Sequence, residues 1–382
     1  MQLDPSGAVQ VCCASNYRNR HLVKTGDLNT SNPMEIWNND VYKNLRQGML
    51  AGKKNYEICG SCYDRDKTGI TVTERVRFNA QYEHLGDLVN STQDDGTLNT
   101  LKIRYLDLRF SNLCNLKCRT CGADWSTSIA AEQRKLRPEE SITRYNESWK
   151  KIMPHLDELK ELYFAGGEPL IMPEHYDFLD SLIEKKQTDL IILYNTNLTK
   201  LGIKNKNVID YWRHFRHVGV AVSLDHYGHY ANYVRGGSVW EEILANVKTI
   251  QAANVPSIDI GVSTVLSLYN VLHFGDFIIE LFENNIISDI NKLYIQQLVN
   301  PIDQQATNLT DKCLNIAIDN INNCIKYLEN RNQNTETLLK IKKWLIDANN
   351  YNQPQFDRFV HYNKWLDSMR GTNFESTYPE FF

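Results

Sequence analysis

Three thiols stand within eight residues of one another: Cys114, Cys118 and Cys121. Spacings of four and three on an irregular stretch let them converge on one point. Convergent thiolates are soft ligands, suited to an iron–sulfur cluster or to zinc. Structural zinc wants four protein ligands in a closed tetrahedron. No fourth Cys or His lies nearby, and the next His is His155. Three ligands leave one metal position open, which favours a reactive centre. A second set comes earlier: Cys12, Cys13 and the C-x-x-C pair Cys59 and Cys62. That pair alone could be a redox motif, but the βαβ surroundings of one are missing. Zinc is the main rival to iron–sulfur there. Cys313 and Cys324 are eleven residues apart. They share a helix face and read as small buried apolar residues.

The triplet follows a strand-like run, Arg104 to Phe110, in which Tyr105, Asp107 and Arg109 face opposite to Leu106, Leu108 and Phe110. Further strands are expected at 159–165, 190–195, 218–224, 257–265 and 292–298. Helices are expected near 126–137, 173–187, 207–216, 239–253 and 271–284, with Pro173 in the first turn of its helix. Repeated strand–helix units imply an α/β fold, a parallel sheet with right-handed crossovers. Six units suggest an incomplete (β/α)6 TIM-like barrel, with working groups at the carboxyl ends of the strands. Polar motifs fall there: Gly166-Gly167-Glu168-Pro169, Asn195-Thr196-Asn197, Ser223-Leu224-Asp225 and Ser263-Thr264. Each alone is an ordinary turn; their joint placement on adjacent strand ends is the stronger signal.

The barrel core is expected over 101–300. Residues 1–70 form a small Cys-rich domain with little core, as a metal-stapled module would. It holds a helix at Pro33–Trp37 capped by Asn32, and another from Val41 to Leu50, ended by Gly52. Residues 71–100 read as a linker, with a helix from Thr71 to His84 and the loop Asp94-Asp95-Gly96. Residues 301–382 read as helical, near 309–330, 335–349 and 355–370. The aromatic end, Trp365 to Phe382, reads as core contacts. His226 and His229 read as part of a solvated turn past the fourth strand.

The 382 residues are 42% hydrophobic and 23% charged, ordinary for a globular protein, and allow two or three domains. A net charge of −4 gives no clear nucleic-acid signal. No signal peptide is evident, and no apolar run approaches the ~20 residues of a membrane span. Nine cysteines without export signals argue for a reducing, cytoplasmic location.

C-x-x-x-C-x-x-C after strand one, with Gly-Gly-Glu-Pro after strand two, resembles the radical S-adenosylmethionine (SAM) superfamily over about residues 101–300. The resemblance implies an enzyme, oxidoreductase-like or peptide-modifying. Cys114, Cys118 and Cys121 would bind three irons of a [4Fe–4S] cluster, and the fourth iron would chelate SAM. Reductive cleavage would give methionine and a 5′-deoxyadenosyl radical that takes hydrogen from a substrate. Gly166, Gly167 and Glu168 would meet the methionine amino group, since paired glycines admit close backbone approach and a carboxylate satisfies an ammonium. Ser223 and Arg235 match SAM-contacting positions, with Arg235 forked onto the carboxylate. Asn195 and Asn197 would reach the ribose. Thr120 departs from the family, where many members carry an aromatic. Adenine packing there must differ.

The amino-terminal cysteines are similar to the SPASM/Twitch auxiliary cluster domain, which usually follows the barrel. Gly7, Cys12, Glu35-Ile36-Trp37 and Cys59-x-x-Cys62 carry this likeness. The usual pattern has another Cys ahead of the Cys12 equivalent, and this chain begins too late to contain it. Either the start is truncated, or Cys13 substitutes, or the auxiliary iron–sulfur cluster has an open position. By analogy the substrate is a peptide or protein, and the electron comes from an external donor of flavodoxin or ferredoxin type. A small metabolite, sugar or nucleotide substrate is the enzyme alternative. A non-catalytic zinc-binding interaction protein is the alternative of another class. No residue declares itself as the second hydrogen donor or acceptor.

Overall fold

Residues that need burial alternate with residues that do not along 105–108, 161–164, 191–196 and 217–223, the period of an extended chain. The computed structural model describes residues 1–15, 25–70, 72–82, 86–135 and 147–382. Its strands are, in chain order, β1 (Gln2–Leu3), β2 (Val9–Gln10), β3 (Tyr105–Leu108), β4 (Lys117–Cys118), β5 (Glu161–Phe164) and β6 (Ile191–Thr196). Then follow β7 (Gly202–Ile203), β8 (Lys206–Asn207), β9 (His217–Ser223), β10 (Arg235–Gly236), β11 (Ile258–Leu266) and β12 (Leu293–Gln297). Eight form one sheet in the order β12-β11-β9-β6-β5-β3-β1-β2. Neighbours are parallel except β1 and β2. The sheet curls without closing, as the six-unit reading requires. The pattern of the sequence misses β1 and β2, because two residues cannot carry a period.

Register sorts the two faces. Leu106, Leu162, Ile192 and Val218 pair across four strands and are fully buried. The next row, Asp107, Tyr163, Leu193, Gly219 and Asp259, lies on the opposite face. The crossover helices are Pro173–Glu184, Val208–Trp212, Trp240–Ala252 and Phe274–Glu283. The helix expected at 126–137 is Thr127–Arg134, and residues 136 and 137 lie outside the described residues.

Asn32 caps the helix Pro33–Trp37 reciprocally with Glu35. Cys59 and Cys62 sit on the helix Tyr56–Asp66. A helix spans Glu74–Tyr82; Thr71 and His84, the ends expected for it, lie outside the described residues. Arg77 on this helix pairs at 2.8 Å with the buried Glu161 of β5, so this stretch is tied to the sheet. Among the described residues no helix is long and apolar enough to cross a membrane.

The helices Asp311–Glu329, Glu336–Ala348 and Gln353–Arg370 follow, then a short one at Phe374–Thr377, and Cys313 and Cys324 are buried on the first. The third reaches back to the cysteine loop. The Arg119 side chain has no solvent access and lies 2.5 Å from Asp367. It also donates to Asn363 Oδ1 at 2.8 Å, to Thr372 Oγ1 at 2.8 Å and to the Tyr233 carbonyl at 3.0 Å. Arg370 pairs with Glu132 at 2.6 Å and donates to the Lys117 carbonyl at 2.9 Å.

Removing one partner of a buried ion pair leaves the other charge uncompensated. Asp367→Ala is therefore expected to destabilise the protein by about 3–5 kcal/mol. Arg358→Ala, which breaks the exposed pair with Asp303, should cost far less, since solvent screens such a pair. Anaerobic urea unfolding of the two variants compares them, and equal losses would contradict the role given to Arg119.

Candidate active site

Beyond β3 the chain runs through Cys114 without regular structure, so its backbone groups need partners from elsewhere. The helix Thr127–Arg134 supplies several. Ser126 Oγ donates to the Leu116 carbonyl at 2.6 Å and Ser128 Oγ to the Cys114 carbonyl at 2.8 Å. The Cys114 N–H donates to Thr127 Oγ1 at 3.3 Å. The turn after β5 supplies more: the Gly167 N–H donates to Ser111 O at 3.3 Å and the Glu168 N–H to Leu113 O at 2.7 Å. A Cβ on Gly167 would stand 2.1 Å from the Leu113 oxygen, and Gly166 has φ +112°. The glycine pair thus lets this turn press against the cysteine loop. On another side β10 pairs with β4, setting Arg235 opposite Cys118.

The three thiols lie within reach of one another's charge and of Arg235. Burial pushes the Cys114 and Cys121 thiols up to about 12. It also raises Cys118, with Arg235 acting the other way. Arg235 stands 3.8 Å from Cys118 Sγ and 2.9 Å from Asp225, whose charge balances it. Three thiolates here would thus lack positive charge, and a cationic metal group would supply it. Among the described residues no three His, Cys, Asp or Glu side chains meet at the spacing of a single bound ion. Three soft thiolates on one loop are a donor set suited to an iron–sulfur cluster.

Glu168 is fully engaged with protein. Its carboxylate accepts from Thr196 Oγ1 at 2.7 Å, the Asn197 N–H at 2.6 Å and the Leu170 N–H at 3.1 Å. Burial pushes its pKa up to about 7 despite these donors. The carboxylate therefore ties the β5 turn to the β6 loop. The Gly166 and Gly167 carbonyls accept no hydrogen bond among the described residues. Asn197 donates to Asn115 Oδ1 at 3.0 Å and accepts from the Thr199 N–H at 3.0 Å, pinning the loop. Asn195 faces the lumen. Ser223 shares the lumen face of β9 with Gly219 and Ala221.

The lumen is a cavity of about 570 Å³, lined by Tyr163, Asn195 and Ser263 from the sheet and by Cys13, Glu74 and Arg77 from the amino-terminal region. Gly219, Ala221 and Gly261 leave its wall without bulk. Cys12 lies within reach of the charges of Cys59 and Cys62, and burial pushes it up to about 11. Cys13 faces Asp107 and Arg109 instead. Cys12 is thus within electrostatic reach of Cys59 and Cys62, while Cys13 lines the lumen.

His226 is not on a solvated turn. It is buried and stacked on Tyr230 at 4.3 Å, because the chain after β9 packs beneath the carboxyl-terminal segment. Arg119, Asp367 and Arg370 escaped the sequence reading as site residues, and Asp225 entered it only as part of a strand-end motif. The sequence signal was available for Arg119 alone, a charge lodged between two cysteines.

A model of the radical SAM superfamily matches residues 108–273, and a model of SPASM, an iron–sulfur cluster-binding domain, matches residues 1–63. No curated protein matches the chain. Among solved structures it is similar to native anSMEcpe with bound AdoMet and Cp18Cys peptide, at 17% identity and TM-score 0.42, over 59% of each chain. It is also similar to Streptococcus suis SuiB bound to S-adenosylmethionine, at 14% identity and TM-score 0.42, over 69% of this chain and 56% of that one. TYW1 with a lysine-pyruvate adduct is similar at 17% identity and TM-score 0.30, over 57% and 70%. The likeness spans less than two thirds of the length of anSMEcpe and of SuiB. With the cysteine triplet, the glycine turn packed on it and both family models in agreement, the chain carries a radical SAM domain over residues 108–273 and, ahead of it, a SPASM iron–sulfur domain over residues 1–63.

Proposed function

We propose that this protein is a radical SAM enzyme acting on a peptide or protein, with Cys114, Cys118 and Cys121 holding the SAM-binding [4Fe–4S] cluster. One observation carries the reading: three thiols within electrostatic reach of one another on one hydrogen-bonded loop, beside a single balanced cation, beyond the carboxyl end of β3. When bound and reduced by one electron from an external flavodoxin- or ferredoxin-type donor, cluster and SAM supply a 5′-deoxyadenosyl radical that abstracts hydrogen from substrate.

The chain's own residues bind and orient. The Gly166 and Gly167 carbonyls would accept from the methionine ammonium, while Glu168 holds their turn in place. Arg235 would fork onto the methionine carboxylate, its charge and direction kept by Asp225. Asn195 and Ser223, on the lumen face, would address the ribose. Asn197, already engaged with Asn115 and Thr199, would position the loop. Cys12, Cys59 and Cys62 would hold the auxiliary cluster. The lumen borders the amino-terminal cysteine region through Cys13 and Glu74, and its 570 Å³ suits one amino-acid side chain with its neighbours.

The test is anaerobic reconstitution followed by reductant, SAM and candidate substrates deuterated at carbon. Deuterium should enter 5′-deoxyadenosine from a peptide. Transfer from a sugar, nucleotide or other metabolite alone would overturn the substrate class. Stoichiometric zinc with no SAM cleavage would overturn the enzyme reading.

Cys118→Ala is expected to abolish 5′-deoxyadenosine formation. Cys59→Ala should spare more SAM cleavage than substrate turnover, and equal loss of both, with the fold intact, would contradict separate roles for the two sets. Gly167→Ala should drop iron from about eight atoms per chain to about four, because the added methyl displaces the cysteine loop. Retention of the full iron content would show that the loop tolerates the displacement.

A further inference from the structure

We propose that Glu74 is the fourth protein ligand of the auxiliary cluster, beside Cys12, Cys59 and Cys62, and that Cys13 is not. The inference rests on the reading of the amino-terminal cysteines as a cluster site. Glu74 lies beyond the residues that match the SPASM model, so its place has to be argued from the fold.

Cys59 and Cys62 stand three apart on the helix Tyr56–Asp66 and share a face. Asp66 lies one turn beyond Cys62. It accepts from Thr73 Oγ1 at 2.6 Å and from Arg75 Nη2 at 2.6 Å. The residues on both sides of Glu74 are therefore pinned to the cysteine-bearing helix. This turns the Glu74 side chain onto Cys62, with Oε2 4.0 Å from the sulfur. Arg65 Nη2 bridges the two, 2.7 Å from Glu74 and 3.8 Å from Cys62. The carboxylate also lies within electrostatic reach of Cys12.

Cys13 shows the opposite disposition. Its thiol lies within reach of the charges of Asp107, Glu74, Cys12 and Arg109, and neither Cys59 nor Cys62 is among its neighbours. Three thiolates and a carboxylate beside Arg65, with Arg75 already paired to Asp66, would repel each other without further positive charge. Iron relieves that repulsion, and a carboxylate oxygen is a competent iron ligand. Glu74 borders the lumen, so the iron it holds is the one nearest the space available to substrate.

The test uses the full chain with Cys114, Cys118 and Cys121 all replaced by Ala, reconstituted anaerobically so that only the auxiliary site can load. Iron content and electron paramagnetic resonance are read in the reduced state and after mild oxidation. The parent should hold about four iron atoms per chain. Glu74→Ala should lose one of these on oxidation and give the signal of an oxidised three-iron cluster. Glu74→Gln, which keeps the side-chain shape, should do the same, and Glu74→Cys should restore the four-iron form. Cys13→Ala should leave iron content and spectrum as in the parent. An unchanged four-iron spectrum in Glu74→Ala and Glu74→Gln overturns the proposal, as does a three-iron signal in Cys13→Ala. A parent that binds no iron overturns the auxiliary-cluster reading itself and this assignment with it.

Discussion

The buried guanidinium of Arg119 is the interaction on which the arrangement of the site most depends. A charge without solvent must find a complete set of partners inside the protein. Those partners are Asp367, Asn363, Thr372, the Tyr233 carbonyl and the Tyr233 ring, whose centroid lies 3.6 Å away. Few backbone geometries satisfy so many donors at once. Arg119 sits immediately after Cys118, so its partners also fix where that thiol points. The carboxyl-terminal helix thereby belongs to the scaffold of the cysteine loop, although nearly 250 residues separate Arg119 from Asp367.

Elsewhere in the site the charges come in balanced pairs. Arg235 meets Asp225, Arg109 meets Asp107, and Arg77 meets Glu161. Glu168 is held by three neutral donors instead, and burial leaves its pKa near neutrality. The thiols of the triplet are the exception. Burial raises all three, and Arg235 is the shared cation. The polypeptide thus builds a site whose remaining deficit is positive charge at the sulfurs, which is the deficit an iron–sulfur group removes.

The barrel strands were legible because four to nine residues with a period of two declare themselves without help from the rest of the chain. The cysteine triplet was legible because ligand chemistry restricts residue type. What escaped is of another kind. β1 and β2 are two residues long and exist by pairing with distant strands. The purpose of Gly167 was half legible: close approach was evident, but the partner is the Leu113 carbonyl of the chain itself. For Glu168 the sequence did not show that Thr196, at the end of β6, and the Asn197 N–H just beyond it donate to the carboxylate. His226 appeared exposed, because no local pattern announces a carboxyl-terminal segment folding over it. In each case the missing information is a contact between residues far apart in sequence.

The same reasoning explains how a cysteine module placed before the barrel can border the lumen. β1 adds in parallel to β3, the strand that leads into the triplet. β2 then turns back antiparallel to β1, and Cys12 and Cys13 follow it directly. Cys13 therefore arrives beside Asp107 and Arg109 of the β3 segment, within the lumen wall. The helix Glu74–Tyr82 closes the same side, anchored by Arg77 on Glu161 at the foot of β5. Which edge of the sheet the module joins decides what it can reach, and order along the chain does not. A module attached through β3 shares a wall with the strand that carries the first cysteine set, whether it precedes or follows the barrel in sequence.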